Sequence, residues 1–465
     1  MAQRLLLAAS ACAAACLVAA PAGAQTVAEL QRQIDELKAQ IAELRAARGL
    51  VGAPPAPPAV SPPAVAPPAQ VAAAPAPPSP TSPPRAPRQP WFQRVTLRGY
   101  TQLRFSEFVS GDRTAPAGVS RLRSVHDGGI GEDTNFTFRR IRLVVQGDLS
   151  DRVSFYLQPD FATNVANQSA GERREGFLQL RDAYVDVFAD ADRTFKLRLG
   201  QSKVPYGWEN MQSSSNRLTL DRSDGINSGV PSERDLGVVA YYTPPGVQRI
   251  WERLEKDGQK LFGNYGAFAL GAFNGQGTNR PETNDDLMTV AMVTWPFELG
   301  GGRVLELGGA GYRNRVQPEL RAGGVSARSF ADDRIGVHAI LYPAPIGFQA
   351  EWNWGRGPQF DRALGAIVTR SLEGGYVQGM ARVRRSAVGP FMPYARWQHY
   401  RGGWKALLNA PELDTEEWEL GIEFQPVPPL ELTLAFAHME RREADERRDG
   451  RAEGNLIRTQ LQWNY

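Results

Sequence analysis

The chain has 465 residues, with 53 Lys and Arg against 50 Asp and Glu, and this formal charge of +3 is too small to imply nucleic acid as a partner. Its two cysteines, Cys12 and Cys16, both lie near the start, so thiolate chemistry, disulfides and cysteine metal sites are excluded for the remainder. A mean hydropathy of −0.38 suits a soluble protein, and equally a membrane β-barrel whose strands alternate lipid-facing with lumen-facing residues.

Arg4 precedes an apolar run from Leu5 to Ala20, followed by Ala22-Gly23-Ala24, so residues 1–24 read as a signal peptide cleaved before Gln25. A lipoprotein reading of Cys12 is weakened by Ala9, which stands where a large aliphatic residue is wanted. After Gln25 no apolar run approaches the ~18 residues of a transmembrane helix. Within 25–48, Val27, Leu30, Ile34, Leu37, Ile41 and Leu44 follow a heptad spacing, which predicts a short coiled coil, or else a lone amphipathic helix. Residues 49–90 are mostly Pro, Ala and Val and cannot build a core. They form a spacer whose roughly 40 residues reach ~120 Å at about 3.1 Å each.

From residue 91 to 465 the pattern is all β. In 95–105, Val95, Leu97, Gly99, Leu103 and Phe105 share one face, while Thr96, Arg98, Tyr100, Gln102 and Arg104 share the other. In 348–355, Phe348, Ala350, Trp352 and Trp354 oppose Gln349, Glu351 and Asn353. Sixteen strands trace at 95–105, 136–147, 153–161, 177–188, 195–203, 236–243, 264–275, 285–297, 303–315, 333–342, 347–355, 371–384, 390–400, 416–425, 430–438 and 455–465. Connectors such as 147–151 and 189–193 are tight, while 106–135, 162–176, 204–235 and 441–454 are long and polar. The last strand alternates and ends on Tyr465. An even strand count, short turns against long loops, and an aromatic carboxyl terminus on an exported chain predict a transmembrane antiparallel β-barrel in place of a soluble sandwich.

The segments Phe138-Arg139-Arg140-Ile141-Arg142-Leu143, Gly147-Asp148-Leu149 and Phe155-Tyr156 to Asp160-Phe161 resemble the first hairpin of the phosphate-selective porin O and P family. Leu180-Arg181-Asp182-Ala183-Tyr184-Val185-Asp186, then Leu199-Gly200-Gln201-Ser202-Lys203-Val204-Pro205-Tyr206-Gly207, resemble its next hairpin, with Tyr206 where the family has Phe. The likeness is most specific over 136–245 and rests on architecture beyond. It implies a sixteen-stranded homotrimer among outer-membrane lipids and lipopolysaccharide, the third outer loop folded into the lumen, and basic residues guiding anions such as phosphate. The same reading places the N-terminal segment in the periplasm, where the coiled coil could touch the cell wall.

If apolar residues face lipid, Arg98, Arg104, Arg140, Arg142, Lys196 and Arg198 face the lumen, because a charge on the lipid face near the midplane costs ~2–4 kcal/mol. Lys203 joins them as an anion-guiding candidate, and Asp160, Asp182 and Asp186 are the acids available to pair with these bases. Arg139 falls on the outer parity and is expected to snorkel at the rim. Later strands turn Glu306, Glu351, Glu419, Glu423 and Glu431 inward. His126, His338, His399 and His438 are dispersed, and no G-x-S-x-G or Walker loop occurs, so no cofactor, metal or enzymatic activity is expected. The alternatives are a general or carbohydrate-selective porin, whose sign is an aromatic track in the lumen, and a structural outer-membrane anchor.

Overall fold

The computed structural model describes residues 90–112, 122, 130, 135–164, 175–263, 265–384, 386 and 389–465. The expected signal peptide and coiled coil, and the linker through residue 89, lie outside the described residues. In chain order the strands are β1 (Val95–Gly111), β2 (Asn135–Ser150), β3 (Val153–Asn164), β4 (Glu175–Phe188), β5 (Phe195–Lys203), β6 (Arg234–Tyr242), β7 (Phe268–Phe273), β8 (Met288–Glu298), β9 (Val304–Arg313), β10 (Arg315–Val316), β11 (Phe330–Ala331), β12 (Asp333–Leu341), β13 (Ile346–Asp361), β14 (Ala366–Ala381), β15 (Phe391–Gly403), β16 (Glu412–Val427), β17 (Leu430–Ala444) and β18 (Asp449–Asn464). All but β10 and β11, which pair with each other in a connection, close into one antiparallel barrel of sixteen strands. Each traced strand has its counterpart, and the misjudged ends are mostly those that run further from the barrel's chain ends.

Closure follows from the last strand. β18 pairs with β1 from Tyr100↔Asn464 to Gly111↔Gly454. Beyond the ladder, the Gly99 N–H donates to the Tyr465 carbonyl at 2.6 Å and Tyr465 N–H donates back at 3.0 Å. The terminal aromatic residue is thus the final rung of the seam. The wall obeys the period-two rule: along β16, Trp418, Leu420 and Ile422 are exposed outside while Glu417, Glu419 and Glu423 are buried inside. Outside, Tyr242, Phe268 and Trp295 make an aromatic chain with ring centroids 6.1 Å apart at each step, near the end where the chain enters and leaves the barrel.

One residue departs from the expected parity. Gln102 pairs with Arg140 but Leu103 pairs with Phe138, so Arg139 is the extra residue of a β-bulge. Phe136 and Phe138 therefore face out while Arg140 and Arg142, of the same parity, face in. Arg139 does not snorkel at the rim: its Nε lies 3.8 Å from Asp221.

The lumen is also less polar than strand alternation alone suggests. Val239 and Tyr241 of β6, Phe273 of β7, Met288, Val290 and Met292 of β8, and Tyr312 of β9 form an apolar inner wall. Two chain segments fold inward onto it. Loop 3, residues 204–233, carries the short helices α1 (Trp208–Met211) and α2 (Asp224–Asn227) and contributes Val204, Tyr206, Trp208 and Met211. The connection 243–267 carries α3 (Pro245–Lys256) and contributes Val247, Trp251, Leu254, Leu261 and Phe262. Each large apolar side chain so buried is worth roughly 1.5–3 kcal/mol, which makes both segments part of the fold.

Candidate functional site

Loop 3 crosses the lumen and is tied to the wall by groups on many strands. The carboxylate of Glu351, on β13, accepts from the N–H groups of Trp208 at 2.6 Å and Glu209 at 2.7 Å, the two free donors that open α1. At the other end of α1, Lys203 Nζ donates to the carbonyls of Asn210, Met211 and Gln212 at 2.9, 3.2 and 2.6 Å. An anion at the N-terminus and a cation at the C-terminus match the helix dipole. Arg396 on β15 pairs with Glu209 at 2.7 Å. Arg441 on β17 pairs with Asp224 at 2.8 Å, and the Asp224 N–H donates to Gln398 at 2.9 Å. Gly225 is seated so closely that a Cβ there would meet the backbone of Gly374 and Gly375 at 2.5 Å, so only glycine permits this contact.

On the seam side, Asp221 takes Arg104 at 3.0 Å and Arg458 at 2.6 Å. Gln102 and Gln462 donate to the carbonyls of Ser214 and Ser215, each at 3.0 Å. The loop is thereby laced to β1 and to β13 through β18. Towards β2–β4 its ties are slighter: the 3.8 Å approach of Arg139 to Asp221 and a 3.4 Å bond from Arg181 to the Ser232 carbonyl.

The bases singled out in the sequence divide into three groups. Arg104, Arg142, Arg198 and Lys196 have carboxylate partners: Asp221, then Asp160 at 2.7 Å, then Asp186 at 2.7 Å and 3.7 Å. Arg198 also lies over the Tyr184 ring at 3.8 Å. Asp182 is engaged by Arg234 at 2.8 Å. Lys203 is taken up by the end of α1, and Arg98 is exposed near the chain ends, 3.3 Å from Gln146. Arg140 stands apart. It is 4 % exposed and bonds the side-chain oxygen of Gln102 at 2.8 Å, and among the described residues no carboxylate pairs with it. The cations around it are Arg139, Arg142 and Arg217, and the acid that acts on it, Asp160, is in ion-pair contact with Arg142.

Arg217 of loop 3, which sequence reasoning passed over, is in the same condition. Its only bond among the described residues is to the Leu220 carbonyl at 3.2 Å, and its Nε, like that of Arg140, is buried without an acceptor. Burial and the neighbouring Arg222 push its pKa down to about 9. A guanidinium does not lose its proton at neutral pH, so this is a buried positive charge with no carboxylate in ion-pair contact among the described residues, while Glu209, Asp221 and Glu233 act on it from outside that distance. Arg181, half-buried and bonded among the described residues to Gln179 at 3.2 Å and to the Ser232 carbonyl, is a third cation with no carboxylate in ion-pair contact there. By contrast, burial alone would raise the Glu233 carboxyl, but Arg222, Arg234 and Lys203 hold it well below the usual carboxylate range.

A sequence model of the phosphate-selective porin O and P family matches residues 117–465. The chain belongs to this family. It is an outer-membrane porin, and its sixteen-stranded barrel is a channel. No curated protein matches it. Among solved structures, the outer membrane channel DcaP of Acinetobacter baumannii is similar at 14% identity and TM-score 0.48, over 80% of this chain and 97% of that one. The anion-selective porin from Comamonas acidovorans is similar at 12% identity and TM-score 0.45, over 80% and 99%. Pseudomonas putida OprB is similar at 10% identity and TM-score 0.48, over 80% and 95%.

Proposed function

We propose that this porin passes small anions, phosphate among them, along the side of the lumen where loop 3 faces β2–β4. The observation that carries the reading is the pair Arg140 and Arg217: two buried guanidinium groups with no carboxylate in ion-pair contact among the described residues, in a lumen where Arg104, Arg142, Arg198, Arg222, Arg234, Arg334, Arg396 and Arg458 each have one. A transiting oxyanion supplies the missing counter-charge, and the planar forks of arginine suit phosphate and carboxylate oxygens. Arg181 offers the next contact, so an anion moves between weak sites without falling into a deep one, as flux requires. Inorganic phosphate added to a chloride-conducting channel is expected to reduce the chloride current reversibly and in a saturable way. A chloride current indifferent to phosphate would count against the site.

A carbohydrate track has one observation in its favour, the stacked inward pair Tyr156 and Tyr184, with centroids 5.1 Å apart and planes 7° from parallel. The guanidinium of Arg198 over the Tyr184 ring already occupies the position a sugar would take, which favours the anion reading. We take the end of the barrel bearing the chain ends to face the periplasm, with the N-terminal segment there, and the assembly to be a homotrimer. Cross-linking in isolated outer membranes should then trap three copies.

A further inference from the structure

The connection 243–267 leaves the barrel at its periplasmic end and turns back into it. The apolar side of α3 is fixed on the inner wall by Val247, Trp251 and Leu254. The next stretch, 257–263, reaches across the lumen: Lys260 Nζ lies 2.8 Å from Glu423 and 3.4 Å from Glu431, on β16 and β17. It also touches loop 3 from below, where Gln212 donates to the Lys260 carbonyl at 3.2 Å and Asn216 to the Leu261 carbonyl at 2.8 Å. One buried carboxylate joins the two inserted segments. Glu306, with no exposed surface, accepts from Thr294 at 2.7 Å and Tyr342 at 2.8 Å of the wall and end turn, from Trp208 of loop 3 at 3.1 Å, and from Trp251 of α3 at 3.1 Å.

We propose that Lys260, carried on residues 257–263, forms a second, inner gate of the channel, latched between Glu423 and Glu431, and that its segment is coupled to loop 3 through Glu306. The proposal rests on the reading of the barrel as a conducting channel. Beside this stretch a cavity of about 570 Å³ is lined by Trp251, Gln259, Lys260, Arg382, Glu423 and Glu431, so a solute leaving by this space passes the latch. Gly258 and Gly263, which bracket the stretch, have φ of 71° and 115°. These left-handed values are natural to glycine and shape the turn that presents Lys260 to the far wall. Lys260 is 17 % exposed and lines the cavity with both carboxylates, so salt ions reach the pairs and weaken them in part, whereas the apolar seat of α3 is unaffected. Leu261 and Phe262, buried in the same apolar cluster as α3, hold the backbone of the stretch in place, so the part that moves is the Lys260 side chain.

The test is single-channel recording of the full-length protein in planar bilayers at low and high KCl. Wild-type conductance should rise more steeply than bulk conductivity as salt releases the latch. Lys260→Gln should abolish that excess and raise low-salt conductance by roughly twofold, where screening is least. Conductance and salt dependence equal to wild type would overturn the gate. Trp251→Phe, which cuts only the α3 donor to Glu306, should shift the reversal potential set at loop 3 if the two segments move together; an unchanged potential would refute the coupling. Heat-modifiable mobility on gels confirms that each variant folds. No conductance in the wild type would defeat the channel reading itself, while a conducting but cation-preferring wild type would defeat only the anion reading and leave the latch test intact.

Discussion

Arg140→Glu should carry the channel from anion preference to indifference or cation preference, read as a shift or change of sign in reversal potential under a KCl gradient. The substitution moves two unit charges at a buried position. At ~10 Å and an effective dielectric of ~20, each is worth roughly 1.7 kcal/mol to a passing ion, so the two together amount to about three hundredfold in its relative permeability. The introduced carboxylate would sit among Arg139, Arg142 and Arg217, where the transiting anion is proposed to rest. It is thus paired and tolerated by the fold while the site is filled from within. Arg140→Gln should give an intermediate potential. Both variants matching wild type would mean that ions pass elsewhere.

Asp221→Ala should act in the opposite direction, raising both conductance and anion preference. Asp221 draws Arg104 and Arg458, each 1 % exposed, and more distantly Arg139, onto the seam side of loop 3. Its removal takes away the one acid these three cations share and loosens the loop there. Breaking a buried pair from one side costs about 3–5 kcal/mol, so the melting temperature of the barrel should also fall. The remaining ties at Glu351, Arg396 and Gly225 keep the loop inside. In the wild type, burial opposes the charge on Asp221, yet Arg104, Arg458 and Arg139 hold its pKa well below the usual carboxylate range. A depressed folded-state pKa means that the stabilisation is present above the ordinary value and lost only as pH falls through the depressed one. This clamp should therefore survive acidification to about pH 4, near where a free aspartate titrates. Conductance that rose at mildly acidic pH would place the loop's control in other groups.

The barrel was legible because lipid imposes its rule on every strand: wherever charge and apolar residues alternate, as in Trp418, Leu420 and Ile422 against Glu417, Glu419 and Glu423, the face assignment is forced. Loop 3 was legible as a long polar connector, and the family likeness implied that it folds inward. Its contents were not, because the partner of Arg104 lies 117 residues away in a segment with no period. The bulge at Arg139 leaves no mark in Phe138-Arg139-Arg140-Ile141-Arg142, since one unpaired residue in a ladder depends on its neighbour strand. The inward fold of 243–267 left a fainter trace that could have been read. In β8, Met288, Val290 and Met292 are apolar inside while Ala291 and Val293 are apolar outside. A strand apolar on both faces is covered on both faces, which in a barrel requires something packed within the lumen.

The most direct test of the anion route is the reversal potential of the purified wild-type protein in a planar bilayer under a KCl gradient. The account predicts a potential close to the chloride equilibrium value, moving toward zero in Arg140→Gln and Arg217→Gln. A potential near zero or on the potassium side would contradict it.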